Sequence, residues 1–289
     1  MASGVTVRTV VLSRFSLDGG AMHGIVPRVL WERVHPADAK HRIPLVARAA
    51  VVDHAASGSR TLVELGMGQR WSDKERGLYD LGPGPDAPEA LRAAGIDPDT
   101  VTHVVLTHLH WDHAGGLARA DGGLAFPRAE HVVGEAALAH AQAALGAQGK
   151  DTGSFRADDV ARLLTMGAAP PNPRSRLPGE ARLRPWREGE PLAPGLAGRL
   201  SNGHTEALVI PVVEARDDGP PLAIPTDLVP TRSHLKPAWV MAYDNLPSTS
   251  VDEKRSLFAD LARIGGGVLL YHDPDVEAAW MVGGELVPG

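Results

Sequence analysis

Thirteen histidines occur in 289 residues, and four of them fall between positions 103 and 113. The densest run is Thr107-His108-Leu109-His110-Trp111-Asp112-His113-Ala114-Gly115-Gly116, directly after an apolar stretch. Side chains at i and i+2 of an extended chain face the same way, so His108, His110 and Asp112 share one side. A turn into a helix starting near Gly115 brings His113 round to join them. Imidazole and carboxylate donors without sulfur suit zinc, iron, cobalt or manganese. The chain has no cysteine, which excludes disulfides, thiolate ligands, iron–sulfur clusters and a cysteine nucleophile. No Gly-x-Ser-x-Gly elbow offers a serine nucleophile instead.

Four ligand groups on one short loop do not complete a two-metal site, so partners must come from elsewhere. His or Asp just after an apolar strand is the pattern to look for. His204 follows residues 200–202, Asp227 follows 222–226 and His272 follows 268–271. Strand-to-loop junctions are where a rigid scaffold holds functional groups. Taken alone, each of these three is an ordinary surface or capping residue. The run at 108–113 is what gives them meaning.

The elements that must position these groups are legible from periodicity. Strands are expected at 5–12, 45–52, 60–65, 101–107, within 125–133, near 198–200, at 207–213, 222–225 and 268–271. Helices are expected at 86–95 with Gly95 as the stop, at 135–145, at 158–164 and at 251–264. Residues 32–44 and 167–180 read as loops. Gly66-Met67-Gly68 is half of a dinucleotide fingerprint, but the third glycine and the following helix are missing. Strands in two groups, each followed by helix, imply an α/β (α+β) architecture of two mixed sheets packed face to face with helices outside. No linker divides the chain, so residues 1–289 are read as a single domain.

Composition sets limits on partners. Hydrophobic residues make up 43% and charged residues 22%, as in a globular protein. No stretch reaches the roughly 18 apolar residues of a membrane span, and the first residues lack a secretory pattern. Net charge is −6 with no basic run, which argues against phosphate-driven nucleic-acid binding. The cytoplasm and a homodimer are the expectations for location and assembly.

The ligand series His-x-His-x-Asp-His, Gly-His-Thr, a lone Asp and a late His resembles that of the metallo-β-lactamase-fold hydrolases. Leu17-Asp18-Gly19-Gly20-Ala21-Met22, the segment His110 to Gly116, and the segments around Asp227 and His234 to Trp239 narrow the likeness to quorum-quenching acyl-homoserine lactone lactonases. The resemblance implies an αββα sandwich with the site at one edge of the paired sheets. It implies two divalent metal ions, zinc first and iron, cobalt or manganese as alternatives. His108, His110 and His204 would hold one, Asp112, His113 and His272 the other, and Asp227 would bridge them. Asp227 and Asp112 are the expected catalytic carboxylates. The substrate would be a small lactone, opened by a hydroxide that the metals share. A hydroxyacylglutathione-type thioesterase or an organophosphate or aryl esterase of the same fold is the alternative.

Three positions depart from the family pattern. Glu206-Ala207-Leu208 follows Gly-His-Thr, Glu64 stands near where a supporting Asp is usual, and Pro230 stands where some lactonases carry a catalytic Tyr. His234, Tyr243 and Met22 are the candidate substrate contacts, with Tyr243 or Tyr271 as the source of the missing phenol. His23 is placed with Met22 in an acyl-chain pocket. Thr107 and Thr205 flank ligands and could fix them by hydrogen bonds. His103 has the opposite strand parity and is expected to be structural, and Trp111 to pack beside the loop.

Overall fold

The computed structural model describes residues 3–146, 152–168 and 181–289. The chain opens with a long strand, β1 (Val5–Asp18), and two short helices, α1 (Gly19–His23) and α2 (Arg28–Trp31). Strands β2 (Arg42–His54) and β3 (Ser59–Val63) follow, then helices α3 (Asp73–Tyr79) and α4 (Ala87–Ala93). Strand β4 (His103–Leu106) leads into the single turn α5 (Trp111–Ala114). Next come β5 (Glu130–Gly134), α6 (Glu135–Gly146), α7 (Ala157–Thr165), β6 (Gly167–Ala168) and β7 (Arg182–Trp186). The last third holds β8 (Ala197–Ser201), β9 (Leu208–Val213), β10 (Leu222–Ala223), α8 (Pro247–Ile264), β11 (Gly267–Leu269), β12 (Ala278–Val282) and β13 (Glu285–Pro288).

Two mixed sheets result. One has the order β1-β2-β3-β4-β5-β7-β6, the other β13-β12-β11-β10-β9-β8. The central strands are buried on both faces, which is why they read as unbroken apolar runs. Neighbouring residues go to opposite sides: Val51, Val104 and Val133 pack with Leu91, Leu138 and Leu163 of the helices. Val52, Val105 and Val132 pack instead against Val209, Leu222 and Leu269 of the second sheet. That sheet's outer face carries Ile210, Val268 and Leu270 against Leu257 and Leu261 of α8. The layers are therefore helix, sheet, sheet, helix, the αββα order of the metallo-β-lactamase fold.

Several boundaries differ from the sequence reading. β1 continues to Asp18, because β2 pairs with it from Val5↔His54 to Asp18↔Arg42. The helix expected near Gly115 starts at Trp111, since His113 and Ala114 both donate their backbone N–H to His110 O. Asp112 therefore sits on a helical turn with His113 and is not part of the extended run. β7 has no strand signature, because Arg182, Arg184 and Pro185 interrupt it; its partner β5 supplies the ladder. The hairpin β12–β13 turns on Gly283 and Gly284, both at positive φ, a turn signal that the sequence did carry. Of the loop expected at 167–180, residues 169–180 lie outside the described residues.

The glycines that imitated a nucleotide fingerprint serve packing beneath the site. A Cβ on Gly68 would collide with Gly115 O, and one on Gly116 with Leu65 O. Backbone thus lies directly on backbone, with Gly116 N donating to Gly66 O at 3.1 Å. The end of β3 is clamped to the turn that carries Asp112 and His113.

Candidate metal centre

All seven singled-out ligand residues lie just beyond strand ends on one edge of the sandwich. His108 and His110 follow β4, Asp112 and His113 ride on α5, and His204 follows β8. Asp227 sits in a 3-10 turn, Thr226–Leu228, after β10, and His272 follows β11. Their side chains converge into two buried groups. His108, His110, His204 and Asp227 form one; Asp112, His113, Asp227 and His272 form the other. Within each, the candidate ligand atoms lie within 4.8 Å of one another, and Asp227 belongs to both.

The two oxygens of Asp227 divide between the groups. Oδ1 lies 3.1 Å from both His113 Nε2 and His272 Nε2. Oδ2 lies 3.2 Å from His204 Nε2. His204 Nε2 is also 3.2 Å from His110 Nδ1, and Asp112 Oδ2 is 3.4 Å from His272 Nε2. Arms of about 2.0–2.1 Å on a tetrahedral ion separate ligand atoms by roughly 3.3 Å, so these spacings suit donors sharing an ion. Nε2 of His108, Nε2 of His113 and Oδ1 of Asp227 are buried without a hydrogen-bond partner among the described residues. Unpaired polar atoms in a core are costly, and a divalent cation is the group that would satisfy this donor set.

Three of the imidazoles, those of His108, His204 and His272, are aimed by a hydrogen bond at the other nitrogen, and that of His113 faces a carboxylate; such partners fix tautomer and ring angle at metal sites. His108 Nδ1 meets Thr107 Oγ1 at 3.0 Å, which in turn meets Thr226 Oγ1 at 3.2 Å. His113 Nδ1 lies 3.3 Å from Glu64 Oε2, while Glu64 Oε1 accepts from Thr107 N at 2.9 Å. His204 Nδ1 pairs with Asp244 Oδ1 at 3.0 Å. His272 Nδ1 bonds to Val46 O at 2.8 Å, and its backbone N–H donates to Pro230 O at 2.9 Å. Glu64 and Thr226 hold positive φ, 73° and 41°, which costs L-residues on the order of 1–2 kcal/mol. Both strained residues touch the frame of the site.

Burial penalises every charge here, and mutual attraction answers it. Against desolvation, the carboxylates of Asp227 and Asp112 hold the His113 pKa well above the imidazole range. Against the same penalty, Asp227 and Asp244 raise that of His204. The carboxyl of Asp227 is held well below the ordinary range despite burial, because His113, His272 and His204 face it. His108 goes the other way: burial and the neighbouring rings His113 and His110 push it well below 6.5.

The other singled-out residues are placed as follows. Tyr271 is buried, stacks on His113 with centroids 4.4 Å apart, and donates its hydroxyl to Asp112 O at 2.7 Å. Tyr243 is half-exposed. Partial burial, with the charges of Asp18 and Asp112 nearby, raises its phenol pKa. His234 is buried, with Thr231 Oγ1 and Met22 O each 2.8 Å from its two nitrogens; it joins neither group. Met22 is buried among Phe15, Trp31 and Tyr271. His23 bonds Gly19 O and Ser233 Oγ. Trp111 packs edge-on against Trp71 and close to Tyr79. Thr205 is buried, and His103 Nδ1 meets Thr102 Oγ1 at 2.8 Å. Glu64 and Asp244 were missed as partners of ligands. Glu64 was visible as a substituted strand-end acid; Asp244 carries no local signal.

A family profile described as the metallo-beta-lactamase superfamily matches residues 57–281. A curated relative, the N-acyl homoserine lactonase AttM of Rhizobium johnstonii, is 36% identical over 69 residues, 24% of this chain. The match spans 20% of that relative's length. Among solved structures, a probable metal-dependent hydrolase from Staphylococcus aureus superposes with a TM-score of 0.83 at 21% identity, over 100% of this chain and 98% of that one. AidC, a dizinc quorum-quenching lactonase in complex with a product, gives 0.72 at 14% identity, over 100% and 95%. At such identities the likeness establishes the fold.

Proposed function

The chain belongs to the metallo-beta-lactamase superfamily, and on that premise we propose that it is a metal-dependent hydrolase that opens lactone rings at a dinuclear centre, with N-acyl-homoserine lactones as substrates. The observation that carries this reading is Asp227, whose two oxygens each face a separate group of histidines. His108, His110 and His204 would hold one ion, Asp112, His113 and His272 the second, and Asp227 both. Zinc is the proposed metal. When bound, such a pair supplies a Lewis acid for a carbonyl and makes water nucleophilic near neutral pH.

The chain's own residues do the rest. Asp112 is placed to relay a proton at its carboxylate oxygens, while Asp227 keeps the negative charge that the groups facing it require. Tyr243 replaces the phenol absent at Pro230: burial raises its pKa and so keeps it protonated, and its partial exposure lets it donate to the oxygen of an opening ring. Tyr271 and Glu64 keep Asp112 and His113 in place. Met22 and His234 are both buried, so they would act on substrate only through the side chains that cover them. Both sheets contribute ligands to both groups, which supports treating the chain as one domain. No helix among the described residues is long and apolar enough to cross a membrane. We place the work in the cytoplasm, as signal degradation on a small-molecule substrate by a homodimer that binds no nucleic acid.

The test is turnover of short- and long-chain acyl-homoserine lactones by metal-loaded protein, with Asp227→Ala as the blank. Expected is ring opening that disappears in the variant, with turnover down on the order of 10³-fold. Intact lactones together with rapid cleavage of a thioester or phosphotriester would move the chain to the esterase branch of the fold.

A further inference from the structure

α8 reaches both loops that define the position of His204. Glu253 receives the first. Its Oε2 accepts from Ser201 Oγ at 2.6 Å and Gly203 N at 3.1 Å, and its Oε1 accepts from Asn202 N at 2.7 Å. The contact is close, since a Cβ on Gly203 would strike Ser250 of the same helix. Lys254 receives the second loop. It is 1% exposed, and its Nζ donates to Trp239 O at 2.5 Å. That loop carries Asp244, which accepts from Met241 N at 3.3 Å and pairs with His204 Nδ1 at 3.0 Å. The loops also bond to each other, Asn245 N to His204 O and Leu246 N to Gly203 O, at 3.0 and 2.8 Å.

A buried lysine is expensive and needs a reason. Burial lowers its pKa to about 8, with Asp244 acting in the opposite sense. A leucine would fill the space without that cost. What leucine cannot do is donate to the Trp239 carbonyl and present a cation to the Asp244 side of the loop.

We propose that Glu253 and Lys254 are positioning residues for His204, the first fixing the loop that carries the imidazole and the second fixing the loop that carries its Asp244 partner. The inference rests on the reading of His204 as a metal ligand only for its functional consequence; the mechanical link stands on the contacts themselves. Outer-sphere partners of this kind typically change metal affinity 10–100-fold.

Two readouts separate the link from that reading. The first is solvent exchange of the His204 Nδ1 proton in metal-free protein, followed in the downfield proton NMR spectrum. The second is Co²⁺ titration followed by visible absorption. Lys254→Met and Glu253→Gln should each speed the exchange about tenfold or more and weaken one of two bound ions roughly 10–100-fold, leaving the other within about threefold. Glu253 is half-buried, so its variant keeps the test open should Lys254→Met fold poorly. Leu257→Ala, at a buried position of the same helix, is the control: it should lower Tm and leave both readouts unchanged. The proposal is overturned if both variants exchange and bind as wild type does, or if Leu257→Ala moves the readouts equally. Should wild type bind fewer than two ions while the exchange responds as expected, the metal reading falls and the positioning role stands.

Discussion

At the scale of single residues, four of the site's imidazoles have a partner behind them. Glu64 does this for His113 and at the same time accepts from Thr107 N. Glu64→Gln keeps the size of the side chain and removes its charge. It should weaken binding of the ion held with His113 about 10–100-fold, measured by zinc competition against a chromophoric chelator; unchanged affinity would remove Glu64 from the support of the site. Protonation belongs at this scale too. His113 and His204 have raised pKa values in the metal-free protein. Their contribution to folding is fully present below the unfolded imidazole value and fades as pH rises through the raised one. A metal must displace these protons, so apparent affinity should climb as pH rises above the ordinary imidazole value, up to about tenfold per unit for each proton released. Calorimetric titrations in buffers of different ionisation enthalpy would read the proton count directly.

At the scale of elements, short helices and turns depend on their ends. α4 is closed by a capping box in which Asp86 accepts from Glu89 N and the Glu89 carboxylate accepts from Asp86 N, both at 2.9 Å. Asp86 also pairs with Arg119 at 3.1 Å. Asp86→Ala should cost about 1 kcal/mol in urea unfolding and leave metal content unchanged, because α4 packs on the far face of the first sheet from the second. α5 shows the opposite economy. It is one turn long, with no side-chain cap at His110. Backbone contacts from residues 65–68 and the Tyr271 hydroxyl hold it instead. That is why its start could not be placed from the local sequence.

At the scale of the molecule, the centre joins the two sheets. The first sheet brings His108, His110, Asp112 and His113; the second brings His204, Asp227 and His272. Metal bound here therefore acts as a cross-link specific to the folded state. Filling one site to 100 times its Kd adds about 2.7 kcal/mol. Chelation should lower Tm by several degrees, checked by calorimetry with and without a strong chelator; an unchanged Tm would argue that the groups do not bind metal tightly. Away from the centre, the inter-sheet core of Val52, Val105, Val209 and Leu269 also joins the two sheets.

The sequence alone determined the candidate donor set, because chemistry at 108–113 is local: six residues leaving one strand carry four ligand-competent side chains. It also marked His204, Asp227 and His272, since each ends an apolar strand whose run is readable. The central strands and the long helices were legible for the same reason of periodicity. Only the tertiary structure decided that Asp227 divides its oxygens between the groups, that Glu64 and Asp244 stand behind His113 and His204, and that His234 is bonded away from both groups. Those facts depend on pairs well separated in the chain, such as Asp227 with His204, Asp244 with His204 and His234 with Met22. No local pattern encodes such contacts; they arise when the two sheets close on their shared core.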